Sequence, residues 1–165
     1  MLIRDVASSD AEQLLNLIQE LAIAQGFSKS EVKLTQDRLR AQLEQRDLRP
    51  FQCIVAEENG TLYAFALYYQ TYSTWEGKIG FHLDDLYVMP EMRNSGLGRQ
   101  LMERLIEIAH DRGCARIDWY VVDHNANAIR FYERLGAHEL ADWQYWRMEL
   151  APNNAPRRAV LCGSE

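Results

Sequence analysis

Apolar residues recur along this chain in two rhythms, one close to four residues and one close to two, and the switches between them predict an order of elements. "LIRDVA" reads as a short first strand, and "DAEQLLNLIQELAIAQG" follows as a helix in which Leu14, Ile18 and Leu21 share a face. Ser9 with Glu12 predicts a capping box at its start, and Gly26 predicts its stop. A second helix, "QDRLRAQLEQRD", takes Thr35 as its cap, places Leu39 and Leu43 one turn apart and ends before Pro50. "FQCIVAEE" and "TLYAFALYYQTYS" are β-rich runs around Asn59 and Gly60. That pair suits a two-residue hairpin turn because both residues tolerate positive φ.

The second half alternates strand and helix. "IGFHLDDLYVMP" predicts a strand ending at Pro90, and "RQLMERLIEIAHDRG" a helix with Leu101, Leu105 and Ile108 on one face and Gly113 as its stop. "CARIDWYVV" reads as a strand, "DHNANAIRFYERLGA" as a turn and short helix stopped by Gly136, and "WQYWRMEL" as a last strand. The implied class is α/β, a sheet crossed by helices. Residues 1–150 read as a single domain, and 151–165, with little periodicity, as a flexible C-terminal tail.

Composition narrows the function. At 165 residues the chain can bury a core without disulfide or metal staples. A formal charge of −6 argues against nucleic acid as a partner. No apolar run approaches the roughly 20 residues that span a bilayer, and the N-terminus lacks the regions of a signal peptide, so no membrane and a cytoplasmic location are expected. Cys53, Cys114 and Cys162, and His82, His110, His124 and His138, are scattered without ligand spacing, so no metal is expected.

The stretch "VMPEMRNSGLGRQLMERLIEIA" places two glycines and two arginines where a strand hands over to a helix. The first turn of a helix leaves N–H groups unpaired and carries the positive end of the dipole, which suits an anion. The run lacks the Lys-Ser/Thr of a P-loop and the third glycine of a dinucleotide fingerprint. A diphosphate cradle at Gly96 and Gly98, with Arg93 or Arg99 adding charge, and a plain flexible connector both fit these residues.

This run, with Arg-x-x-Gly-x-Gly after a strand and before a long helix, resembles the acetyl-CoA pyrophosphate loop of the GNAT superfamily of N-acetyltransferases. "NANAIRFYERLGA" is similar to that superfamily's second signature. More narrowly, "ALYYQTYSTWEGKIGFHLDDLYVMPEMRNSGLG", "RFYERLGA" and the late "WR" resemble the diamine (spermidine/spermine) N-acetyltransferases, over about residues 2 to 150. The resemblance implies the GNAT fold, a central mixed, mostly antiparallel sheet flanked by helices. It also implies acetyl-CoA as cosubstrate, a small-molecule amine as acceptor and a homodimer.

Carried over by position, the backbone of Leu86, Tyr87 and Val88 would pair with pantetheine, with the Val88 N–H as oxyanion donor. Arg93, Asn94, Ser95, Gly96, Leu97, Gly98 and Arg99 would hold the pyrophosphate, and Asn125 and Ala128 would flank the cofactor. Tyr132 suits the general acid, since a phenol stays protonated at neutral pH and a departing thiolate can take its hydrogen; an aromatic core residue is the alternative. Asp84 and Asp85 interrupt an apolar strand, where alternation lets only one face the substrate unless a bulge intervenes. The family pattern is Glu-Asp, which gives Asp84 the proton relay and leaves Asp85 as a substrate contact, against the alternative of solvated acids on an edge strand. His82 and His124 are weaker candidate bases.

Trp75 and Trp146 match aromatic positions lining the family's amine channel, with core packing as the alternative. The acidic segment expected after the first helix is replaced by "IAQGFSKSEV" with Lys29, and Ser73 and Gln144 stand where acids are usual. A diamine or a lysine analogue is therefore as well suited as a polyamine. Rival readings are an acyl-CoA sensor without turnover and a peptide or protein acetyltransferase.

Overall fold

A computed structural model describes residues 1–45 and 48–150, and the tail expected at 151–165 lies outside them. The chain divides into two compact units, one ending at Tyr120 and the other beginning at Val121.

The first unit is a five-stranded sheet with the strands in sequence order. They are β1 (Leu2–Asp5), β2 (Gln52–Glu58), β3 (Thr61–Ser73), β4 (Lys78–Val88) and β5 (Ile117–Trp119). The first four pair antiparallel, and β5 lies parallel to β4. Asn59 and Gly60 take φ of 52° and 82°, the turn that the β2–β3 sequence demands. Helices α1 (Ala11–Ala24), α2 (Gln36–Glu44) and α3 (Leu97–Asp111) complete this unit.

Alternation sorts the strand side chains onto two faces. Cys53, Val55, Phe65, Leu67 and Tyr87 share one core cluster with Leu14 and Leu17 of α1 and Leu39 and Leu43 of α2. The opposite face carries Ala56, Ala64, Ala66, Tyr68, Phe81 and Leu83 and receives α3, whose Leu101, Met102 and Leu105 are fully buried. Arg112, just past α3, stacks over the Phe81 ring at 5.6 Å. Burying each of these large side chains stabilises the fold by about 2 kcal/mol.

Two local expectations need correction. Helix α1 starts at Ala11, after a tight turn over Ser8–Asp10, and Ser9 does not cap it. Asp10 governs the entry instead: its carboxylate accepts from the Ala7 N–H at 2.8 Å and takes both ends of the Arg4 guanidinium at 2.6 and 3.0 Å. A buried bidentate ion pair outweighs a surface hydroxyl cap. The last strand, "WQYWRMEL", is absent among the described residues, and Trp146, Met148 and Leu150 are exposed. Alternating polarity alone does not make a strand, because a strand also needs a neighbouring edge to pair with.

The second unit contains α4 (Ala126–Glu133), capped by the Asn125 side chain, which accepts from the Ala128 N–H at 3.2 Å. Gly136, at φ 87°, turns the chain out of the helix, and the Tyr132 carbonyl accepts from Leu135 and Ala137.

Candidate active site

Strand β4 changes character at Asp84. Leu67 pairs with Asp85 and Tyr68 with Leu83, so Asp84 is an extra residue, a bulge without a cross-strand partner of its own. Cross-strand partners share a face. Leu83, opposite Tyr68, therefore lies on the α3 face, while Asp85, opposite Leu67, lies on the α1 face. In a regular strand two residues of the same parity would lie together, so the bulge reverses the alternation for the rest of β4. Asp84 is exposed, whereas Asp85 is half-buried at the margin of the α1 core cluster. Burial, and then the adjacent Asp84 charge, push the Asp85 carboxyl up to about 6.

The bulge is also where β4 loses a neighbour. Its ladder with β5 runs from Phe81 opposite Ile117 to Leu83 opposite Trp119, while β4 itself continues to Val88. Gly80 lets the two strands approach at the closed end, since a Cβ there would meet the Arg116 carbonyl and Thr71 Oγ1, each at 3.1 Å. Past Leu83 no strand among the described residues pairs with the far edge of β4. The Met89 N–H donates to Tyr63 on the β3 side at 2.9 Å. Peptide groups alternate along a strand, so the N–H groups of Val88 and Leu86 point toward that unpaired edge.

The edge leads into the glycine-containing turn. Pro90–Met92 forms a tight turn, Asn94 and Gly96 take φ of 62° and 86°, and α3 opens at Leu97, which is buried and anchors the turn. The Ser95 hydroxyl donates to the Met92 carbonyl at 2.6 Å and accepts from the Leu97 N–H at 3.4 Å, holding the bend. A 15-residue helix begins behind a left-handed glycine with exposed residues at its mouth, an arrangement that suits an anionic group. Both arginines have partners within the chain. Arg99 pairs with Glu103 at 2.8 Å, and Arg93 donates to the Val88 carbonyl at 3.1 Å while lying over the Tyr87 ring at 5.8 Å. The Arg99 pair is exposed and worth less than about 1 kcal/mol, so a phosphate can displace it at low cost.

Chain topology brings Asp84, Asp85, Leu86, Tyr87, Val88 and the 93–99 turn together at one end of the first unit. Sequence reading missed the Tyr87 hydroxyl, which donates to Glu20 of α1 at 3.1 Å and ties the helix to the strand beside Asp85. It also missed the role of Ser73, whose hydroxyl accepts from Arg116 at 3.4 Å in a network with Glu76 and Asp118. His82 is buried between the Tyr69 and Tyr120 rings, at 5.0 and 4.8 Å, a packed position rather than an open one. Trp75 is 87% exposed.

In the second unit Asn125 caps α4 and positions Ala128. Tyr132 is half-buried, with its ring 5.1 Å from that of Phe131. Trp146 is 84% exposed, and His124 is exposed.

Comparison with known proteins decides what this arrangement belongs to. The acetyltransferase (GNAT) family matches residues 15–137. The chain belongs to the GNAT acetyltransferase family.

This GNAT protein is 37% identical over 141 residues to a thialysine N-ε-acetyltransferase of Caenorhabditis elegans, covering 86% of this chain and 85% of that one. It is 32% identical over 153 residues to human spermidine/spermine N(1)-acetyltransferase-like protein 1, covering 88% of this chain and 22% of that one. Among solved structures, an integron cassette protein from V. cholerae superposes with a TM-score of 0.73 at 26% identity, covering 90% and 91% of the two chains. The protein is an N-acetyltransferase, and enzymes of this family use acetyl-CoA as cosubstrate. No metal-binding group is present among the described residues, and none of the described helices is long and apolar enough to cross a membrane.

Proposed function

We propose that this N-acetyltransferase acetylates the terminal amine of a small lysine-like or diamine-type molecule by direct attack within a ternary complex. The observation that carries the reading is the edge of β4 from Asp84 to Val88, with which no strand among the described residues pairs, with a carboxylate pair at one end and a glycine-containing turn before a helix at the other. The names of the thialysine and spermidine/spermine relatives support the amine class.

Acetyl-CoA supplies an activated thioester: the amine nitrogen attacks its carbonyl, the C–N bond forms and the C–S bond breaks. The turn from Arg93 to Arg99 binds the diphosphate, Asn125 and Ala128 are further cofactor contacts, and the backbone of Leu86, Tyr87 and Val88 pairs with the pantetheine amides. The Val88 N–H donates to the carbonyl oxygen as negative charge develops on it. The carboxylates at the β4 bulge take a proton from the incoming ammonium, and Tyr132 returns one to the departing sulfur. Trp75 and Trp146, both exposed, are the aromatic side chains offered to the amine. Cys53 is buried, and its thiol is pushed up by that burial and by Asp85; it is no acyl-carrying nucleophile, which favours direct transfer. The working form is a cytoplasmic homodimer that needs no metal.

The test is release of free thiol from acetyl-CoA across a panel of lysine analogues, diamines, polyamines and short peptides. Turnover concentrated on lysine analogues and diamines is the expected result. Turnover on peptides alone would move the acceptor to protein. Tight acetyl-CoA binding with no turnover on any amine would leave an acyl-CoA sensor.

A further inference from the structure

The sheet face that carries Leu67 and Asp85 continues, away from the glycine turn, toward the connection between β3 and β4. Tyr69 opposite His82, Thr71 opposite Gly80 and Ser73 opposite Lys78 form its successive rows. The first of these is aromatic, with the His82 ring between those of Tyr69 and Tyr120 at 5.0 and 4.8 Å. The rows beyond it are ionic and begin about 13 Å from the Leu67–Asp85 row, at the usual rise of a strand.

Arg116 organises that ionic end. Its side chain passes over Gly80, where a Cβ would meet the Arg116 carbonyl at 3.1 Å and the Arg116 Cγ at 3.5 Å. The same carbonyl accepts from the Phe81 N–H at 3.0 Å, which fixes where the side chain starts. From there Nε pairs with Asp118 at 2.8 Å, while Nη1 pairs with Glu76 at 3.2 Å and donates to the Ser73 hydroxyl at 3.4 Å. The Glu76 N–H donates to that hydroxyl at 3.3 Å, so one guanidinium grips both flanks of the turn that presents Trp75. Lys78, across from Ser73, adds a second cation here.

Resting on the acetyltransferase reading, with the reacting amine at the acid pair and the rest of the acceptor extended toward Trp75, we propose that Arg116 determines acceptor specificity. It engages both carboxylates at the far end and so disfavours acceptors that carry a second ammonium there. An extended polyamine brings its far ammonium to this end and meets Glu76 and Asp118 already paired with a cation. A lysine-like amino acid ends in a zwitterion, which has no net charge to repel and whose carboxylate a guanidinium attracts. A short diamine keeps both nitrogens near the acid pair and is indifferent to Arg116. These charges are partly exposed, so their effect is a modest factor that salt weakens.

The experiment measures kcat/KM by free-thiol release with S-aminoethylcysteine, 1,4-diaminobutane and spermidine. It compares the wild type, Arg116→Gln, Arg116→Lys and a triple variant combining Arg116→Gln with Glu76→Gln and Asp118→Asn. Arg116→Gln frees the two carboxylates and is expected to raise kcat/KM for spermidine about tenfold through KM, a gain that shrinks at high salt. The other two amines are expected to stay within about threefold. The triple variant is expected to lose the spermidine gain because the carboxylates are gone, and Arg116→Lys to stay near wild type because it keeps the cation.

A change shared equally by the three amines would overturn the proposal, since a loosened turn or a damaged fold does not choose between acceptors. A spermidine gain that survives in the triple variant would overturn it as well. Calorimetry of spermidine binding without acetyl-CoA separates the charge effect from catalysis. Equal affinity in wild type and Arg116→Gln, with turnover intact, would remove the role of Arg116 and leave acetyl transfer standing. Tighter spermidine binding in Arg116→Gln, with no thiol release by the wild type on any amine, would defeat the acetyltransferase reading and the acceptor role with it.

Discussion

Tyr87 donates its phenolic hydrogen to Glu20 at 3.1 Å, joining the last core residue of β4 to the α1 helix next to the Asp84 bulge. Burial and this acceptor both push the Tyr87 phenol up, so the bond persists through the working pH range. Tyr87→Phe keeps the ring and the Arg93 stacking and removes only this bond. The expected cost is about 1 kcal/mol in chemical denaturation, with a rise in the amine KM and little change in the acetyl-CoA KM. A KM change confined to acetyl-CoA would show that the bond serves the cofactor turn instead.

Asp85 makes stability depend on pH with a definite sign. Its native carboxyl keeps a proton up to about pH 6, whereas an unfolded aspartate loses it near 4, so between those values the native state binds more protons and stability falls as pH rises. Asp85→Asn removes that slope. The variant is expected to melt with the wild type at pH 4 and about 5 °C above it at pH 7, a gain of about 2 kcal/mol.

The Arg4–Asp10 pair behaves in the opposite sense. Burial alone would push the Asp10 carboxyl up, but the Arg4 hydrogen bonds, the Ala7 N–H and the Arg4 charge outweigh it and hold it below the usual carboxylate range. Its stabilisation is present at neutral pH and is lost as pH falls through that lowered value. Arg4→Met strands a carboxylate that is 6% exposed and is expected to cost about 3 kcal/mol at pH 7, with the difference from wild type shrinking below about pH 4.

Gly96 stands at φ 86° directly before α3, a conformation that costs an alanine about 1 kcal/mol. Gly96→Ala is expected to raise the Kd for coenzyme A about tenfold in calorimetry, as the turn relaxes and its N–H groups lose their common aim. An unchanged Kd would place the diphosphate elsewhere.

Tyr132→Phe is expected to reduce kcat about 100-fold at pH 7 and to remove the alkaline limb of the profile, with coenzyme A affinity within twofold of wild type. Equal losses in turnover and affinity would identify Tyr132 as a packing residue beside Phe131.

The elements whose causes are local can be read from neighbouring residues. Asn59-Gly60 can close only a tight hairpin, Thr35 caps α2 through the Arg38 N–H at 3.3 Å, and Leu101 and Leu105 give α3 its buried face. The Arg93–Gly98 turn was legible for the same reason, since positive φ and the start of a helix are written in adjacent residues. Tertiary structure alone decided what depends on partners distant along the chain. Asp10 rather than Ser9 sets the α1 entry because Arg4 arrives from β1, and "WQYWRMEL" has the alternation of a strand but no paired edge among the described residues. Most of all, the face on which Asp85 lies follows from one unmatched residue in the β3–β4 ladder. A strand's period of two is local, but its phase is set by hydrogen bonds to a neighbouring strand, and a single bulge inverts it.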